Sequence, residues 1–249
     1  MNIISIIKEK VKRLYLKQRY NNETFCTYLR SLGVVVGENT IFFSPQTAVV
    51  DVTRPYLLKI GKGVKIAANV TILTHDFSLS VLRPVYHYLF NECKGYTEIS
   101  DNVFIGMNSS IMPGCHIGKN CIIGTGSVVT KDIPDNCVVA GNPARVISSL
   151  SEFYNRKKKE VVQDVFRLAN IIRKEKGRKP FPQEVGFPFL YLQRDIDLLK
   201  DSWPNMKVSG DNINEVIEDF FNTTPVFDSF ESFLEESLMH KDEILPTDI

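Results

Sequence analysis

The stretch that decides the fold is ISDNVFIGMNSSIMPGCHIGKNCIIGTGSVV, residues 99–129. Within it Ile99, Ile105, Ile111, Ile117, Ile123 and Val129 recur at a constant interval of six. A short fixed period of this kind is the signature of a parallel β-helix built from hexapeptides. Each hexad lays down one short strand and one corner, and three hexads make a triangular coil. The aliphatic at the first position fills the interior. The fifth position reads Val103, Ser109, Cys115, Cys121, Ser127 and Ile133, all small or β-branched, as a narrow inward corner requires. The second position is often glycine (Gly106, Gly118, Gly124), which frees the turn geometry and lets a ligand approach the backbone closely.

Stepping backwards by six from Ile72 gives a second block: Ile66, Ile60, Arg54, Ala48, Phe42 and Val36, with Arg54 alone breaking the apolar series. The two blocks are out of register, because 27 residues separate Ile72 from Ile99, four and a half hexads. A loop therefore leaves the coil soon after His75 and rejoins it near Gly95. We place it at Phe77 to Lys94. Long excursions from a rigid scaffold commonly carry function. This one holds Arg83, Pro84, Tyr86, His87 and Tyr88, a set suited to a polar ligand.

The run IAANVTILTHD (66–76), the loop, and then the hexads closing in TKDIPDN (130–136) and AGNPARVI (140–147) resemble the left-handed β-helix acyltransferases, in particular the maltose, galactoside and polysaccharide O-acetyltransferases. The resemblance covers roughly residues 34 to 148. It implies a mainly β fold, a left-handed parallel β-helix of triangular coils, which is an exception to the right-handed crossover rule. It also implies acetyl-CoA as donor, a sugar or polysaccharide-precursor hydroxyl as acceptor, and a homotrimer with active sites between subunits.

The chain divides on this reading into an N-terminal helical cap (1–33), the β-helix domain (34–148) and a helical extension (149–249). Ile3, Ile4, Ile7, Val11, Leu14 and Tyr15 approximate a helical stripe with cations on the other side. We read it as a lid over the open end of the coil, where strand edges need cover. The alternative is a helix lying on an anionic membrane surface. Residues 150–176 read as a basic helix, ended by the Pro- and Gly-marked stretch 177–188. Residues 189–249 read as short acidic helices, and their aromatic residues, Trp203 and Phe220 among them, argue for folding.

A net charge of +1 gives no global basic field for nucleic acid, although residues 8–19 are basic and 211–249 acidic. No segment is apolar enough to span a membrane, and MNIISIIKEK lacks the order of a signal peptide. Five cysteines, an odd number without a CxxC, read as reduced thiols. Together these point to a cytoplasmic chain.

The chemistry rests on His75. Acyl transfer to a hydroxyl needs a base to take the proton as the bond forms, and imidazole titrates near neutral pH. His75 stands in LTHD, where the resemblance places the family's catalytic histidine. Adjacent strand residues point to opposite faces, so Asp76 is not assigned to orient it. His87 is the second candidate base; His116 and His240 read as solvated. By the resemblance Met107, Thr125, Thr130, Lys131 and Arg145 contact CoA, with Met107 standing where a serine is usual and Ser148 where an arginine is. Gly106 and Gly124 stack one coil apart beside them as a track for the pantetheine arm. Asp51, Arg54, Arg83, Tyr86 and His87 are expected on the acceptor side. Three converging histidines for a metal, as in a γ-type carbonic anhydrase, are not found at the needed spacing. The remaining alternatives are N-acetylation of an amino sugar and a non-catalytic sugar-binding scaffold.

Overall fold

The computed structural model describes residues 3–88, 93–186, 196–197, 199 and 211–240. The chain forms two compact units, Met1–Phe153 and Tyr154–Ile249.

In the first unit the strands are two to five residues long and visit three parallel sheets in turn. The first circuits are β1 (Val35–Val36), β2 (Ile41–Phe42), β3 (Val49–Val50), β4 (Leu58–Ile60), β5 (Lys65–Ile66) and β6 (Thr71–Ile72). A hairpin of β7 (His75–Asp76) and β8 (Cys93–Lys94) interrupts them. The coil resumes with β9 (Thr97–Ile99), β10 (Phe104–Ile105), β11 (Ser110–Ile111), β12 (His116–Ile117), β13 (Ile122–Ile123) and β14 (Val128–Val129). It closes on an antiparallel pair, β15 (Cys137–Ala140) and β16 (Arg145–Ser149).

Pairing registers give the length of each turn. Glu98 pairs with His116, Phe104 with Ile122 and Ser110 with Val128, which is 18 residues each. All six aliphatics of the founding series, Ile99 to Val129, are completely buried. The fifth-position residues Val103 to Ser127 are buried with them, and Ile133 is 7% exposed. Burying one such side chain contributes about 2–3 kcal/mol, against about 1 kcal/mol for a typical hydrogen bond. The interior stack therefore supplies most of the cohesion.

The fourth hexad position, which the period alone did not mark, sets the corners. Asn39, Gly63, Asn102 and Asn120 each stand two residues before a strand of one sheet and Asn136 immediately before another strand of it, all with φ between 55° and 63°. This is left-handed backbone that only glycine and asparagine tolerate readily. Asn102 Nδ2 donates to Asn120 Oδ1 at 2.9 Å, and Asn120 Nδ2 donates to Asn136 Oδ1 at 2.9 Å, so the corner residues form a ladder along the axis. At another corner Asn69 donates to Asn108 in the same way.

Two expectations are corrected. The backward count by six misses at one turn: β3 aligns Val50, not Arg54, with Ile72, while Phe42 and Val36 do align with Ile66 and Ile60. Arg54 precedes a turn of 3-10 helix at Pro55–Leu57 that lengthens this circuit, and Ala48 takes the inward corner. The lid is the other correction. The end of the coil is closed by α2 (Asn22–Ser31), not by the basic helix α1 (Ile3–Leu16). Phe25 and Leu29 of α2 are completely buried, and the Phe25 ring meets that of Phe42 edge-on at 4.9 Å. Asn22 satisfies the exposed strand edge from both sides, accepting from Phe42 N at 2.8 Å and donating to Thr40 O at 3.0 Å.

The second unit is helical: most of α4 (Leu150–Lys176), then α5 (Pro182–Val185), α6 (Ile213–Asn222) and α7 (Phe230–Met239). Phe166, Phe220, Phe227 and Phe233 form its core. Arg173 links α4 to α7 by donating to Ser237 Oγ at 2.9 Å and Leu234 O at 2.8 Å. Trp203 and the neighbouring aromatics of 187–195 lie outside the described residues.

Asn120→Ala removes two ladder bonds and puts a residue poorly suited to left-handed backbone at the corner, so urea unfolding will show a loss of about 1–3 kcal/mol. Asn120→Gly loses the same bonds without the strain and will cost about half as much; equal losses would refute the strain component.

Candidate active site

The site is made where two turns of the coil meet at one corner. Asp51 follows β3 and His75 follows β6, neighbours in one sheet, and Asp51 N donates to Ile72 O at 2.9 Å. The hairpin fixes His75 from the other side: it pairs with Lys94, and Gly95 N donates to Thr74 O at 3.0 Å where the chain rejoins the coil. Gly95 has no substitute there, because a Cβ would lie 2.4 Å from Gly114 Cα.

Asp51 is the hub. Its Oδ2 accepts from His75 Nδ1 at 2.5 Å, from Thr74 Oγ1 at 2.5 Å and from Thr74 N at 3.0 Å. Its Oδ1 accepts from Thr53 Oγ1 at 2.7 Å and from Thr53 N at 3.0 Å. The carboxylate is 4% exposed and the imidazole 12%. Burial alone would raise the pKa of Asp51. The hydrogen bonds from Thr74, Thr53 and His75 outweigh it and hold the carboxyl well below the usual range. An ionised carboxylate only accepts, so Nδ1 carries the imidazole proton and Nε2 keeps its lone pair. Among the described residues no hydrogen bond engages Nε2. Phe77 sets its ring edge-on to the imidazole, 5.1 Å between centroids, and is 67% exposed. The arrangement holds the imidazole in one orientation with its acceptor nitrogen open.

The sequence reading set Asp51 among acceptor contacts; the structure buries it and engages its carboxylate in five accepted hydrogen bonds within the chain. The drifting hexad count hid this, since Asp51 and His75 are 24 residues apart and become neighbours only when Val50 is aligned with Ile72. Thr53, Thr74 and Phe77 were missed for the same reason. Asp76 is indeed turned elsewhere: its Oδ1 accepts from Ser78 N at 2.8 Å and Ser78 Oγ at 2.5 Å, capping a short 3-10 turn.

Of the other acceptor-side candidates, Arg83, Tyr86 and His87 lie on or just after the short helix α3 (Leu82–Tyr86) and are exposed. His87 has left-handed backbone, φ 54°. Arg54 is half-buried beside Thr53 in sequence.

On the donor side Met107, Thr125, Thr130, Lys131 and Arg145 are all exposed. Thr130 and Lys131 leave the sheet of β6 at the corner His75 uses, two strands further along the axis, roughly 10 Å. Met107 and Thr125 lie on the corner that enters the same sheet. Gly106 and Gly124 do not form an open track. Gly106 is buried with its N–H given to Ile123 O at 2.8 Å, and Gly124 gives its own to Val139 O at 2.8 Å. A Cβ on Gly106 would lie 2.6 Å from Thr125 N, so the glycine is required by the next turn of the coil rather than by a ligand.

Among the described residues no cluster of His, Cys, Asp and Glu is arranged to hold a metal ion, and no helix is long and apolar enough to cross a membrane. A surface cavity of ≈ 1050 Å³ is lined by residues of the second unit, such as Tyr154, Val161 and Val226, and by none of the site residues named above.

Comparison with known proteins gives a consistent result. The family model "Bacterial transferase hexapeptide (six repeats)" matches residues 96–131. Protein CapG of Staphylococcus aureus is 41% identical over 57% of this chain and 81% of its own length. The putative acetyltransferase YvoF of Bacillus subtilis is 34% identical over 55% of this chain and 72% of its own. Galactoside O-acetyltransferase of Escherichia coli is 46% identical over 39% of this chain and 46% of its own.

Because the folded-state pKa of Asp51 is depressed, its ionisation stabilises the fold above the unfolded-state value, about 4, and that stabilisation is lost as the pH falls through the folded value. Asp51→Asn does not titrate. The parent will exceed it in urea resistance at about pH 7, and the gap will begin to narrow below about pH 4; a gap independent of pH would contradict the assignment.

Proposed function

The chain belongs to the hexapeptide-repeat acyltransferase family, and on that premise we propose that it is an acetyl-CoA-dependent O-acetyltransferase acting on a sugar hydroxyl. The observation that carries this reading is the His75–Asp51 pair, an oriented imidazole with a free Nε2 at the mouth of a loop. The similarity to a galactoside O-acetyltransferase supports a sugar hydroxyl as acceptor, free or within a polysaccharide precursor.

The transfer is direct, in a ternary complex. Nε2 of His75 takes the acceptor hydroxyl proton as that oxygen bonds to the acetyl carbonyl carbon. Backbone N–H groups along the coil stabilise the tetrahedral oxyanion. As it collapses, the carbon–sulfur bond breaks and the imidazolium returns its proton to the departing CoA thiolate. Asp51 stabilises the transient imidazolium and keeps the ring in one tautomer. A covalent acetyl-cysteine is disfavoured at the described cysteine side chains: Cys26, Cys115, Cys121 and Cys137 are all buried, and burial pushes the thiol of Cys137 up to about 11.

Met107 and Thr125 flank the acyl arm of CoA, while Lys131 and Arg145 suit its phosphates. Arg83, Tyr86 and His87 face the acceptor. The coil is left-handed and triangular and assembles as a homotrimer in which a neighbouring subunit completes the acceptor pocket. The helical unit serves assembly or acceptor access, not the acyl-transfer step.

A thiol-release assay with acetyl-CoA and a panel of sugars tests the activity; no release with any acceptor favours a scaffold. Mild base then distinguishes the product, since an ester is cleaved and an amide on an amino sugar survives. His75→Ala will keep the fold and CoA binding, while turnover falls roughly 10²–10⁴-fold. If more than about a tenth of parental turnover remains, His75 is not the base, and His87 is tested next.

In a separate comparison, Asp51→Asn will lower turnover at least tenfold, to about the extent expected when a base loses its orienting partner, with little change in the affinity for CoA. Asp51, held ionised well below the usual carboxylate range, will contribute no ionisation of its own to the acid side of the parental pH profile. Equal turnover in parent and Asp51→Asn, measured with saturating substrates, would remove Asp51 from the mechanism.

A further inference from the structure

The α1 helix is not used by the fold or by the site. We propose that it is an interfacial helix that docks the protein on an anionic lipid bilayer.

At 3.6 residues per turn, Ile3, Leu14, Ile7, Val11, Ile4 and Tyr15 fall within one arc about 120° wide, uninterrupted by any polar residue. Lys8 and Lys10 border that arc on its two sides. Long lysine stems at such borders lie along an apolar surface while their ammonium groups remain in water. Over residues 8–17 there are five cations, Lys8, Lys10, Lys12, Arg13 and Lys17, against Glu9 alone. The chain as a whole carries only +1, so this run, together with the basic stretch 156–179, is a local excess of positive charge and not a global one.

The described side chains of the arc, those of residues 11, 14 and 15, are exposed. Val11, Leu14 and Tyr15 are 59%, 76% and 85% exposed. The coil end, which a lid helix would cover, is already closed by Phe25 and Leu29 of α2. Lys10, Lys12 and Arg13 have no carboxylate partner among the described side chains; Lys12 and Arg13 contact only the ring of Tyr20, each at 5.9 Å. An exposed apolar arc bordered by lysines is complementary to a surface that is apolar below and negative above, which describes an anionic bilayer.

The segment after α1 couples the helix to the coil. Lys17, with φ 48°, bends the chain at the end of α1. Arg19 Nη1 then donates to Pro45 O and Ala48 O, both at 2.6 Å, and Gln46 Nε2 donates to Arg19 O at 2.9 Å. A docked α1 therefore brings the coil to the membrane.

Co-sedimentation of the full chain with vesicles tests this. Partitioning onto phosphatidylcholine vesicles containing roughly a third phosphatidylglycerol will exceed that onto pure phosphatidylcholine by about tenfold or more at low salt and will weaken as salt is raised. Val11→Glu with Leu14→Glu will abolish it, both positions being exposed and safe for the fold, which circular dichroism checks. Lys10→Glu with Lys12→Glu will reduce it severalfold without touching the apolar arc. Three results overturn the proposal: no preference for the anionic vesicles, binding by the Val11/Leu14 variant equal to that of the parent, or a parent that ignores vesicles while the same variant falls to a smaller mass in light scattering. The last would make the arc a contact between copies of this chain.

Discussion

Vertical alignment of successive turns is the constraint on which this protein depends. Each interior aliphatic sits over its counterpart one turn away, and each strand hydrogen-bonds only to the turns above and below. A residue that fits one turn must therefore fit against the same position in the next. Glycine at position two is a consequence, since a side chain at Gly106 or Gly118 would run into the adjoining backbone. Asparagine or glycine at position four is another, because the corners at Asn102, Asn108, Gly114, Asn120 and Gly126 all reverse through left-handed backbone. The asparagine amides then bond along the axis, which adds modest energy but penalises any slip between turns.

Extra residues in this scaffold have only one place to go, which is outward at a corner. The turn at Pro55–Leu57 and the hairpin after His75 both do this, and neither disturbs the registers on either side. The chemistry exploits the same property. Asp51 and His75 come from successive turns of one corner, so the distance between them is held by the sheet beneath. Thr53 and Thr74 fill the remaining acceptor positions of the carboxylate, leaving it no freedom to turn away from the imidazole. The imidazole is thus positioned by the strands beneath it.

The two ends of the coil are closed by different means. At the start, side chains of α2 plug the interior and bond to the strand edge; at the finish, β16 turns back antiparallel on β15. With both ends accounted for, α1 has no structural task in the coil, and its apolar and basic sides remain available for a surface outside it.

The sequence by itself determined the parallel coil, its interior and the place of its long interruption. Those depend on a strictly local rule, six residues per side, which any slice of the chain from Ile99 to Val129 displays. It also marked His75, which lies where the rule breaks. The tertiary structure decided what no fixed spacing contains: that Val50, not Arg54, stacks with Ile72, that Asp51 lies under His75, and that Gly106 belongs to the next turn and not to a ligand. The physical reason is the same in each case. Bulges of unequal length in the early turns change the number of residues between stacked positions from 18 to 22, 24 or 39. Which residues then meet is fixed by pairing across turns, and that is a property of the folded coil alone.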